Sequence, residues 1–114
     1  MGKIRSVIFV AIMMLCILPG IGRAEDELFD TAGAAALTNQ GIQALMVGHY
    51  DAAIEALEES VSIDPQAPAF YYLGYAYYMK SKKGDGESRT KAMENFDKAY
   101  EMDPGFTPVK IKAN

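Results

Sequence analysis

Few residues of this chain could do chemistry, and they stand apart from one another. Its one cysteine, Cys16, lies inside an apolar stretch, and its one histidine, His49, sits beside Gly48 in a segment that reads as a turn. A general base or a metal ligand needs convergent partners, and a turn histidine normally points to solvent. Asp85-Gly86-Glu87 sets acids around a glycine, but the spaced acids and terminal glutamate of a calcium loop are absent. No glycine-rich phosphate motif is present. The inventory predicts no catalytic residue, no metal site and no cofactor, hence a protein that is not an enzyme. What stands out instead is aromatic. Tyr71, Tyr75 and Tyr78 recur at intervals of four and three, which places them on one face of a helix. A phenol offers a ring to bury and a hydroxyl to hydrogen-bond, which is the chemistry of binding.

The N-terminus bounds the compartment. Lys3 and Arg5 precede an uncharged, almost wholly apolar run from Ser6 to Leu18, then Pro19-Gly20, then Gly22-Arg23-Ala24. A positive start, a short apolar middle and small residues before a cut are the three parts of a secretory signal peptide. The run is short of the ~20 residues that a helix needs to cross a bilayer. Residues 1–24 are therefore read as a signal peptide cleaved after Ala24, which predicts an exported protein, periplasmic or secreted. An uncleaved anchor extending to Ile21 is the alternative. Leu15 before Cys16 is too large for a lipid-attachment site, so Cys16 leaves with the signal, and no disulfide or thiol chemistry remains.

Residues 25–114 would carry eight basic and fifteen acidic residues, a balance that argues against nucleic acid or an anionic membrane surface as partner. Glu25 to Pro65 holds nine acids and no Lys or Arg, whereas Gln66 to Asn114 holds eight basic and six acidic residues. Such polarity marks solvated helix faces, and it could also orient a basic partner or a head-to-tail contact.

Internal repetition is the strongest pattern. The segment from Asp51 to Pro65 aligns with Thr90 to Pro104 at a shift of 39: Ala53 on Ala92, Leu57 on Phe96, Asp64-Pro65 on Asp103-Pro104. Upstream, Gly41 aligns with Gly74 at a shift of 33, which locates a six-residue insertion between Gly74 and Ala92. The polar, glycine-containing stretch 81–89 reads as an inserted loop. Ile54, Leu57 and Val61, and again Met93, Phe96 and Tyr100, form helical stripes that end at the Asp-Pro pairs. The preceding stretches, about Ala32 to Val47 and Ala69 to Lys80, are helix-length and apolar, with Gly48-His49-Tyr50 as a tight turn. The expectation is an all-α chain of two antiparallel helix-turn-helix units, repeat 1 over 32–65 and repeat 2 over 66–104, after a lead-in at 25–31. Residues 105–114 would form a short helical stub, capped by Thr107 with Pro108 as first residue.

These residues resemble the tetratricopeptide repeat, whose pattern is an aromatic, Leu-Gly, Tyr, then Ala, an aromatic and Pro. In repeat 2, Phe70, Leu73-Gly74, Tyr77, Ala92, Phe96 and Pro104 fit, apart from the insertion. In repeat 1, Gly41, Gly48, Tyr50, Ala53, Leu57 and Pro65 fit, while Gln40 replaces Leu, Ala44 replaces Tyr and Leu37 takes the aromatic position. The resemblance implies a short right-handed α-solenoid. In it Gly41 and Gly74 admit close helix approach, Ala53 and Ala92 complement them, and Leu57, Phe70, Leu73, Tyr77 and Phe96 fill the gaps. It also implies that the first helices line a concave, protein-binding groove formed by Tyr71, Tyr75, Tyr78 and Met79 with Thr38, Ile42, Leu45 and Met46. Two arrangements stay open for the tyrosines: a free groove, or burial against the C-terminal stub around Phe106, Val109 and Ile111. The implied function is a non-catalytic scaffold or adaptor that binds a protein segment. The alternative is a structural subunit of a homo-oligomer or envelope complex, since two repeats are fewer than the roughly three that usually close a solenoid.

Overall fold

The computed structural model describes residues 21–111, with side chains from Phe29 onward. Residues 1–20, most of the expected signal peptide, lie outside the described residues. Four helices follow in order: α1 Ile21–Met46, α2 Tyr50–Ile63, α3 Ala67–Ser81 and α4 Gly86–Met102, with no strand among the described residues. The chain divides into a unit ending at Asp30 and a unit from Thr31 onward. Of the first, the described part, Ile21–Asp30, is helical. All that follows concerns the second, an all-α helical repeat of two hairpins.

α1 starts at Ile21 rather than near Ala32, so the expected lead-in at 25–31, and Ala24 with it, is helix. No proline interrupts Ile21–Met46, and nothing else in it stops a helix. Gly48 ends α1's turn at φ 80, a conformation that suits glycine, and α2 begins at Tyr50. α2 and α4 stop alike. Asp64 and Asp103 are extended, at φ −144 and ψ 96 and at φ −144 and ψ 92, because the following proline excludes the helical region for the residue before it.

The expected loop at 81–89 shrinks to Lys82–Asp85. Asp85 caps α4: its carboxylate accepts from the Ser88 N–H (3.4 Å) and the Ser88 hydroxyl (2.7 Å), so Gly86–Arg89 becomes the first helical turn. Those bonds hold the Asp85 carboxyl below the usual carboxylate range.

The core joins Leu45, Ala53, Ile54 and Leu57 to Tyr72, Leu73, Ala76, Tyr77 and Ala92. α3 is apolar nearly all round its middle, as befits the helix packed between α2 and α4. The two glycines work as close-approach points. A Cβ on Gly41 would sit 2.4 Å from Leu57 Cγ, and one on Gly74 would sit 3.0 Å from both the Ala92 carbonyl oxygen and the Phe96 ring. Leu57 and Phe96, the paired positions of the two repeats, therefore lean over the paired glycines. Pro65 and Pro104 are exposed and only redirect the chain.

The C-terminal segment departs from expectation. Phe106–Ile111 is irregular and forms no helical stub. Pro108 biases Thr107 away from the helical region, and a stretch this short lacks the length to nucleate a turn against that bias.

Candidate functional site

The face shared by α1 and α3 carries the expected groove residues, and the structure sorts them into three groups. At one end, Thr38 and Ser60 stand with their hydroxyls 2.7 Å apart, and both reach the Ala34 carbonyl oxygen, at 3.0 and 2.8 Å. Each hydroxyl has one proton to give, so carbonyl and hydroxyl oxygens share them. The pair borders an open cavity of about 380 Å³ lined by Thr31, Ala34, Ala35, Asn39, Asp64, Gln66, Pro68 and Ala69 besides. This end is small-residue and polar.

In the middle, Tyr71 is the hub of an aromatic cluster. Its ring meets Tyr72 edge-on at 5.4 Å, Phe96 at 5.2 Å, Tyr100 at 6.2 Å and Phe106 at 5.4 Å. Burial, then the neighbouring phenols of Tyr100, Tyr72 and Tyr75, raises the Tyr71 hydroxyl above its ordinary pKa. Phe106 also lies 6.5 Å from Tyr100. Of the two arrangements open for the tyrosines, the covered one holds here: the C-terminal segment lies across Tyr71 and Tyr75. The Val109 N–H donates to the Tyr72 hydroxyl at 2.9 Å.

At the far end, Ile111 enters a cleft lined by Leu45, Met46, Val47, Gly48, Tyr50, Tyr75 and Met79, leaving about 70 Å³ unfilled. A larger space of about 370 Å³ stays open between Tyr71 and Tyr75 and residues Pro108–Ile111. Ile42 packs half-buried on the core. Leu45 is core, buried to 4%, with one edge in the cleft. Tyr78 lines neither space. It is exposed, with the Lys82 ammonium 5.0 Å from its ring centre.

Tyr72 is the residue that the spacing argument missed. It falls between the stripe Tyr71/Tyr75 and the stripe Phe70/Gly74/Tyr77, yet it is buried and its hydroxyl accepts from the Val109 N–H. A signal was available: Ala69, Tyr72 and Ala76 are three and four apart, a third buried stripe. Tyr77 packs as expected and donates to the Glu58 carboxylate; burial first, then that bond, raises its pKa. His49 lies beside the Lys80–Asp51 ion pair (2.9 Å), and Lys80 is raised by its bond to Asp51. Among the described residues no group of three or more His, Cys, Asp or Glu could hold a metal ion. No helix among them is long and apolar enough to cross a membrane.

A tetratricopeptide repeat model matches residues 47–66. The match spans the Gly48 turn, α2 and the Asp64-Pro65 stop, the parts of repeat 1 that fix its hairpin. It supports a tetratricopeptide repeat protein, a family whose members generally mediate protein–protein contacts and are typically not catalytic. No curated protein and no solved structure matches the chain. In repeat 2, Phe96 stands against Gly74 as Leu57 stands against Gly41 in repeat 1.

Proposed function

We propose that this chain is an exported, non-catalytic interaction module that holds an extended protein segment against the α1–α3 face. The observation that carries the reading is the seating of Phe106–Ile111. A non-helical stretch lies there with an aromatic anchor, an aliphatic anchor and one backbone N–H taken by a buried phenol. A face that accepts such a stretch from its own chain has the chemistry to accept one from a partner: apolar area for affinity, hydroxyls for register. The acidic surroundings of repeat 1 favour a partner with basic residues beside its anchors.

A photoreactive residue placed at Met46, on the groove face, should capture a partner that one at Glu94, exposed on α4, does not. Equal capture at both positions would remove the groove from the account. Export is tested separately by the N-terminus of the protein recovered from the cell envelope or medium. It should begin at Glu25, and a product retaining Met1 would contradict cleavage.

A second reading, a structural subunit, is favoured by the uncovered outer face of repeat 2. Ile54 is 9% exposed and Leu45 4% beneath the next hairpin, whereas their counterparts Met93 and Tyr78 are 61% and 44% exposed. Light scattering across a concentration series separates the readings: a stable dimer supports the subunit, a persistent monomer the binding module.

A further inference from the structure

The C-terminal segment is seated but incompletely fitted. Phe106 lies against Tyr71 and Tyr100, Ile111 lines its cleft, and Val109 donates one hydrogen bond. Between these anchors Val109 keeps 67% of its surface exposed, and about 370 Å³ stays open above Tyr71 and Tyr75. A segment that served only to close the core would bury its apolar side chains and leave no space of side-chain size beneath it.

Building on the proposed groove reading, we infer that residues 106–111 are an internal occupant of the partner's site. The partner is then an extended segment of the same pattern: an aromatic residue, an extended-backbone former such as proline two positions on, and an aliphatic residue five positions on. Tail and partner exclude one another, because both need the Tyr72 hydroxyl and the Ile111 cleft. The partner gains over the tail by placing a bulkier apolar side chain where Val109 leaves space. The tail gains from attachment, which gives it an effective concentration of order millimolar.

The test uses the purified full chain and a labelled peptide copying residues 104–114. In the variant Phe106→Ala/Ile111→Ala the tail loses both anchors while the helices keep theirs. The peptide should bind this variant at least about ten-fold more tightly than the unmodified chain, where the tail competes. A control peptide with Ser at the two anchor positions should bind neither. Equal affinity for both chains would overturn competition while leaving the groove a binding face. No binding to a variant with unchanged helicity would overturn the tail pattern, and the Met46 capture would still report on the groove reading by itself. Should the double variant lose helicity, Val109→Pro gives a second loosened chain, since it removes the N–H donated to Tyr72 and leaves the helices untouched, and the same two outcomes decide.

Discussion

The two hairpins share a backbone plan and differ in what occupies equivalent positions. Where repeat 1 sets Thr38 beside Ser60, the equivalent positions of repeat 2 are Tyr71 and Ala99; where repeat 1 leans Leu57 over Gly41, repeat 2 leans Phe96 over Gly74. Repeat 1 is covered by α3, so its stripe is aliphatic and dry, with Leu57 fully buried. In repeat 2 the stripe is Met93, Phe96 and Tyr100, of which Met93 and Tyr100 are exposed, and Phe106 lies against Tyr100. Equivalent fold positions are thus buried in one repeat and exposed in the other.

Breaking the paired positions should show this asymmetry most strongly. Leu57→Ala should cost about 2–5 kcal/mol, since it opens a cavity in the closed stack. Phe96→Ala should cost less although it removes more atoms, because Phe96 is only half-buried. Urea unfolding measures both. The glycines come next. Gly41→Ala should destabilise by about 1–3 kcal/mol, because the fully buried Leu57 must move from 2.4 Å. Gly74→Ala should cost less, its contacts being 3.0 Å, and the helix preference for Ala offsets about 0.5–1 kcal/mol of either. Reversal of that order would break the comparison. Ser60→Ala should cost only about 0.5–1.5 kcal/mol, the worth of one hydrogen bond, since Thr38 still satisfies the Ala34 carbonyl.

The smallest effect near neutrality is the pH dependence. Tyr71 and Tyr77 both have folded pKa values raised above 10.0. The folded state therefore holds these protons more tightly than the unfolded chain does. Stability from this source is complete below pH 10 and is lost as pH rises through the folded values. A melting temperature flat from pH 7 to 9 and falling above 10 is expected, with a shallower fall in Tyr71→Phe, which has no phenol to ionise.

Where local rules and packing agree, the fold was legible in the residues. The stripe Ile54, Leu57, Val61 and the stop at Asp64-Pro65 define α2 by themselves, and the shift of 39 carries the reading to α4. Legibility failed where one short contact decides. Asp85 and Ser88 form a cap that turns most of the expected loop into helix, and a glycine-rich stretch hides it. Thr107-Pro108 reads as a helix start; Tyr72 of α3 takes the Val109 N–H, and the segment stays non-helical. That contact is tertiary, so no local pattern near residue 107 contains it. The face of α3 that meets Phe106–Ile111 was legible as a tyrosine stripe, but Tyr72, its hydrogen-bonding member, was not.

The central claim is that residues 106–111 dock on the α1–α3 face through Tyr72, and amide hydrogen exchange at Val109 tests it most directly. The account predicts an exchange rate slower than that of a free peptide amide in the unmodified chain, with the protection lost in Tyr72→Phe. A Val109 amide that exchanges at the free-peptide rate, or one whose protection survives Tyr72→Phe, would contradict it.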